Sequence, residues 1–336
     1  AHHVALPRAA RAAAVAHAHR GMTTLSAETF SYLGDRIPVA DAPFAIWAHL
    51  GVGDTDVRGL LESLDTRAAP TSTGRGMTMV ARGLSRSLED DGTAALPLLV
   101  QASTALLPVA DDLVMPESPA ALAALLAIGL GELDTASQVL VAAADADLGG
   151  SALWARHHLL RAWVAMLRGQ LDQATSLVDL AVANGPLSTR DDTMMHALRV
   201  GIARRGGDTA DLISRWNQAR ECLPHLWVDL YSLLTLGELS VAAGRLRESF
   251  RVESHLADAT ALLHRLGDPP AWATMFHWYG VLASFAAASD TCASRMASVA
   301  SFSLFAKNPT FFSNALFLLR LVFILVILAI VRWPVL

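Results

Sequence analysis

ALLAIGLGELDTASQVLVAA at 124–143 and AWVAMLRGQLDQATSLVDLA at 162–181 carry one pattern twice, 38 residues apart. In each, an apolar stripe at helical spacing runs into a glycine, Gly131 or Gly169, and a second stripe follows. Leu159, Leu160, Trp163, Val164 and Leu167 lie on one side of that turn. Ala174, Leu177, Val178 and Ala181 lie on the other. Both stripes have the period of a one-sided helix. Glycine ends a helix in the left-handed conformation without a Cβ penalty. Asp134 and Asp172, three residues after their glycines, are expected to cap the next helix.

The interval propagates in both directions. Gly53, Gly92, Gly131, Gly169, Gly207 and Gly244 are separated by 39, 39, 38, 38 and 37 residues. A fixed period of this length signals stacked supersecondary units, since one helical hairpin cannot bury its own apolar face. The spacing resembles the tetratricopeptide repeat at a stretched period. Gly169 is matched by Ala162, Leu171, Ala174, Val178 and Ala181, and Gly131 by Ala124, Leu133, Ala136, Leu140 and Ala143. The units around Gly244, Gly207 and Gly92 are degenerate. The expected fold is therefore all-α: a tetratricopeptide-like helical hairpin solenoid, period about 38 residues, with an apolar C-terminal helix. Its expected divisions are an N-terminal helical segment at 1–41, about six hairpins at 42–290, a linker at 291–310 and a candidate transmembrane helix at 311–331. An irregular all-helical domain with glycine turns is the alternative.

Composition narrows the function. The net charge of −5 argues against direct nucleic-acid binding by this segment. Cys222 and Cys292 have no CxxC spacing and fit a reducing cytosol. The Gly-rich run 73–78 lacks the lysine of a phosphate loop and reads as a linker beside Pro70. The pairs Asp90/Asp91, Asp111/Asp112 and Asp191/Asp192 fall at expected helix starts, where carboxylates ordinarily face the helix dipole. Adjacent His157 and His158 point about 100° apart on a helix and make a poor shared metal site. No catalytic residue, metal or cofactor is expected, and the chain reads as non-enzymatic.

Partner capture is expected on the concave face of the array. The first helices place Arg156, Trp163, Arg204, Arg205, Tyr231, Glu238 and His277 there, a set suited to a peptide, a protein segment or a small-molecule inducer. The competing reading makes Trp163 and Tyr231 core residues between stacked helices.

Residues 226–249, LWVDLYSLLTLGELSVAAGRLRES, and 261–290, ALLHRLGDPPAWATMFHWYGVLASFAAASD, are similar to the repeat region of large LuxR-type transcriptional regulators of actinobacteria. That resemblance implies a sensor segment. The ATP-binding switch and the DNA-binding helix-turn-helix of such regulators have no counterpart in this sequence. The chain opens on Ala1 rather than Met, and its true start is expected upstream.

After Asp290 the composition changes: no Asp or Glu follows, and Lys307 is the only lysine of the chain. Residues 311–331 would span about 31 Å as a helix. Arg320 costs roughly 3 kcal/mol on an insertion scale, against roughly −5 to −10 for the Leu, Ile, Val and Phe residues together. Two histories fit this tail: a genuine membrane anchor on an otherwise cytoplasmic adaptor, or out-of-frame sequence that replaces the end of a regulator. The change of composition falls inside a repeat, which favours the second.

Overall fold

The computed structural model describes residues 2–69, 71–89, 92–108 and 115–288. Two compact units divide the chain, Ala1–Ala287 and Ala288–Leu336. The expected linker and the apolar stretch 311–331 lie outside the described residues, as do Asp90/Asp91 and Asp111/Asp112. No helix among the described residues is long and apolar enough to cross a membrane.

The first unit is all-α. Among the described residues it contains α1 (His2–His19), α2 (Thr23–Leu33), α3 (Ala42–Gly51), α4 (Arg58–Arg67), α5 (Ser72–Arg86), α6 (Ala95–Leu106), α7 (Pro119–Leu130) and α8 (Leu133–Asp145). There follow α9 (Gly150–Leu167), α10 (Leu171–Ala183), α11 (Thr189–Gly206), α12 (Thr209–Ala219), α13 (Leu233–Arg245), α14 (Glu253–Arg265) and α15 (Pro270–Ala288). Consecutive helices pack as hairpins: α5 with α6, α7 with α8, α9 with α10 and α11 with α12. The first helices of successive hairpins also touch, α7 on α9, α9 on α11 and α11 on α13.

Five of the six periodic glycines sit in the left-handed region, Gly53, Gly92, Gly131, Gly169 and Gly207, with φ between 76° and 85°. Gly244 does not. It lies inside α13, and the left-handed residue beyond that helix is Arg247 at φ 60°. Its lack of a side chain serves packing instead. A Cβ on Gly244 would stand 2.5 Å from the carbonyl oxygen of Ala283 on α15. Gly237, two turns earlier on the same face of α13, meets the Tyr279 ring in the same way. These glycines form a smooth seam for α15. An unobstructed helix glycine changed to alanine gains roughly 0.4–1 kcal/mol. Gly244→Ala is expected to lose about 1–3 kcal/mol instead, because the overpacked neighbour is backbone. Urea unfolding decides; a gain in stability would mean that α15 does not rest on Gly244.

Two other local expectations change. The run 73–78 is not a linker but the first turns of α5, where Thr71 caps the helix by accepting from the Gly74 N–H at 3.0 Å. Gly76 lets α6 approach, since a Cβ there would stand 2.8 Å from Leu106 Cγ. Asp134 and Asp172 make no side-chain cap; they sit in the first turns of α8 and α10, and Asp134 pairs with Arg168. Asp208 does cap its helix, accepting from the N–H groups of Ala210 and Asp211 at the start of α12.

An open solenoid would touch only its sequence neighbours. This unit instead closes on itself. The Leu230 N–H donates to the Gly51 carbonyl at 2.9 Å, and the Tyr231 hydroxyl donates to the Trp47 carbonyl at 2.7 Å. The Trp47 and Tyr231 rings stack at 4.9 Å with planes 6° apart. The Trp272 indole donates to Ser87 Oγ at 2.9 Å. Segments about 180 residues apart in sequence thus share one core, and its inner space is filled by side chains.

Candidate functional site

Inside the closed array lies a cluster of buried charges. Its floor is the 115–118 segment that leads into α7. Ser118 caps α7, accepting from the Ala121 N–H at 2.9 Å, and Pro119 opens the helix. This anchors Glu117, whose side chain is wholly buried. Arg156 of α9 donates Nε to Glu117 Oε2 at 3.0 Å and brings Nη2 to the same oxygen at 3.0 Å. Arg190 of α11 approaches it at 3.2 Å and donates to the Pro116 carbonyl at 3.4 Å. Asp191 stands 3.6 Å from Arg156. Burial pushes the Glu117 carboxyl up, but Arg156, Arg190 and His157 outweigh it and hold the group below the usual carboxylate range. Arg156 faces the same contest, and its pKa is raised by Glu117 and Asp191 despite burial.

His157 extends the cluster. Burial lowers its pKa to about 4. The imidazole is therefore neutral at pH 7, and its Nε2 lies 2.6 Å from Ser118 Oγ. The Ser118 hydroxyl also accepts from the Ala121 N–H and has a second lone pair, so the tautomer of the neutral ring sets which of Ser118 and His157 donates.

On the other side stands Asp229, fully buried and raised by that burial even though Thr23, Arg190 and Ser232 oppose it. Thr23 of α2 donates its hydroxyl to Asp229 Oδ2. The Tyr231 N–H donates to Asp229 Oδ1 at 3.0 Å. A narrow cavity of about 20 Å³ lies between Arg156, Arg190, Asp229 and Tyr231, with Arg20 at its mouth. That space holds a water molecule, not an organic ligand. Nε and Nη1 of Arg190 are buried without a hydrogen-bond partner among the described residues. An ordered water there would satisfy them.

Residues 225–227 form one wall of this cavity. The other side of that wall faces a second, open cavity of about 350 Å³, bounded by Thr24 of α2, Trp227, and His255, Asp258 and Arg265 of α14. Leu226 and Trp227 line both. Trp227 is 45 % exposed, unusual for an indole among the described residues. His255 Nε2 lies 3.0 Å from the Leu223 carbonyl, and the Arg265 guanidinium donates to the Val52 carbonyl at 3.2 Å. Two walls of the open cavity are thereby held in place.

The concave-groove set is redistributed. Arg156 and Tyr231 come together at the narrow cavity, but both are only 1 % exposed. Arg204 and Arg205 meet Glu238 at 2.8 and 3.0 Å, across the contact of α11 with α13, and Glu238 is fully buried. Trp163 is fully buried in α9, which is flanked by α7, α8, α10 and α11. His277 on α15 is half-buried, with its pKa lowered by burial, and belongs to neither cluster. Arg156, Trp163, Tyr231 and Glu238 are therefore interior residues rather than an accessible groove lining, buried where neighbouring helices pack together. Glu117, Arg190 and Asp229 were not singled out from the sequence. Charges that meet only through tertiary contact leave no local spacing to read.

No family model, curated protein or solved structure matches this chain.

Proposed function

We propose that the chain is a non-enzymatic sensor and interaction scaffold of the kind formed by the repeat region of LuxR-type regulators. In this reading its hairpins are a tetratricopeptide-like array closed on itself. The open cavity of about 350 Å³ carries the proposal, since it falls in the size range of small-molecule sites. Its chemistry names a ligand class. Asp258 and Arg265 are seven residues apart on α14, hence about 10 Å along one face. An exposed indole stands opposite. A free amino acid or short peptide offers an ammonium for Asp258, a carboxylate for Arg265 and a side chain for Trp227. Binding there presses on the wall that separates the open cavity from the buried charges, which supplies a route for a signal.

The test uses the full chain and a panel of free amino acids and dipeptides, followed by tryptophan fluorescence. At least one should quench saturably, and the response should vanish in Trp227→Phe. A charge-assisted hydrogen bond is worth roughly 1.5–3 kcal/mol, so Asp258→Asn and Arg265→Gln should each weaken binding about 10–100-fold. No saturable response across the panel, or one indifferent to both substitutions, overturns the reading.

A further inference from the structure

A second site is independent of that cavity. Asp192 and His196 are one turn apart on α11 and share a face. The 3-10 turn Arg220–His225 brings Cys222 against the same face. Cys222 Sγ lies 3.8 Å from Asp192 Oδ2, and His196 Nε2 lies 3.9 Å from Asp192 Oδ1. The three ligand atoms all fall within 4.8 Å of one another, and each side chain is half-buried.

We propose that Asp192, His196 and Cys222 form a binding site for a zinc-class transition-metal ion. Zinc takes thiolate at about 2.3 Å and imidazole or carboxylate at about 2.0–2.2 Å, which sets tetrahedral edges of about 3.3–3.6 Å. The atoms stand wider than that, at 3.8 and 3.9 Å to the two oxygens of Asp192 and within 4.8 Å overall, so side-chain rotations must draw them together on binding. Three protein ligands leave the fourth position to water or a partner's side chain. The set excludes calcium and magnesium, which need many oxygens, whereas thiolate and imidazole select a softer ion. Binding replaces the Cys222 S–H bond with a metal–sulfur bond and releases the proton to solvent. Without metal the thiol holds that proton firmly: burial, Asp192 and Glu221 push its pKa up to about 11. The ion would tie the 220–225 turn to α11, two helical segments that only side chains otherwise hold together at this face.

The sequence hides this site because no motif spacing links Cys222 to Asp192, thirty positions apart with all of α12 between them. The experiment is a Co²⁺ titration of the full chain at pH 7, followed by displacement with Zn²⁺. A thiolate-to-cobalt charge-transfer band in the near ultraviolet, with visible bands of tetrahedral intensity, is expected to saturate and then vanish on adding zinc. Cys222→Ser and His196→Gln should each lose the band and bind zinc at least about tenfold more weakly, while Cys292→Ser should keep both. His196→Gln leaves the thiol in place and so separates a chelate from a lone cysteine. Absence of the band in the parent chain, or its survival in either Cys222→Ser or His196→Gln, overturns the site.

Discussion

Arg156→Ala is expected to cost about 3–5 kcal/mol of folding stability, because it takes the guanidinium fork from the buried Glu117, which keeps only the 3.2 Å contact with Arg190, and removes the charge facing buried Asp191. Against a total stability of roughly 5–15 kcal/mol, that loss is large enough to threaten the fold. The cost comes from what remains rather than from what is removed. Taking two ions out of water is expensive, and a buried pair often does no better than two apolar residues of the same size. The double variant Arg156→Met/Glu117→Leu should recover only part of the loss, because Arg190 and Asp191 keep their buried charges. Arg156→Lys should fall between, since an ammonium keeps the charge but cannot reproduce the guanidinium fork on Glu117. Urea unfolding of the set provides the check. A loss below about 0.5 kcal/mol for Arg156→Ala would be the signature of an exposed side chain and would refute the buried cluster.

Acidification should expose His157. Its pKa is lowered from 6.5 to about 4 in the folded chain, so the unfolded chain binds the proton more readily. The stabilising contribution is complete above about pH 6.5 and is lost as pH falls towards 4. Its size is about 3 kcal/mol, from roughly 1.4 kcal/mol per pKa unit. Glu117 acts in the same sense at lower pH: its folded pKa is depressed, so its contribution is also lost on acidification. Asp229 acts in the opposite sense, since its raised pKa makes proton uptake favour the folded state. Other histidines lowered by burial, His19, His158, His196 and His277, act in the same sense as His157. The informative quantity is therefore the difference between the parent and His157→Gln, whose amide can donate to or accept from Ser118. That difference should shrink between pH 6.5 and 4. A difference that stays constant with pH would show that His157 is not a buried neutral imidazole.

Local chemistry was readable one residue at a time. Apolar residues at helical spacing and left-handed glycines are short-range facts, and both follow from backbone sterics and the need to bury one face of a helix. The all-α class and five glycine turns follow from them. Gly244 shows where that reading stops. A glycine that ends a helix and a glycine that admits a neighbouring helix are the same letter, and only the position of Ala283 on α15 distinguishes them. Arg156 shows it for the site: its place on a helix follows from the apolar stripe around it, but its burial depends on Glu117 and Asp191, 39 residues before it and 35 after. The closure through Trp47 and Tyr231 is likewise a tertiary fact, because it pairs segments 184 residues apart. The sequence by itself determined the all-α class and five of the six periodic glycine turns. Only the tertiary structure decided which charges are buried, which wall separates the two cavities and which thiol meets which histidine, since those depend on how the closed array brings distant surfaces out of water together.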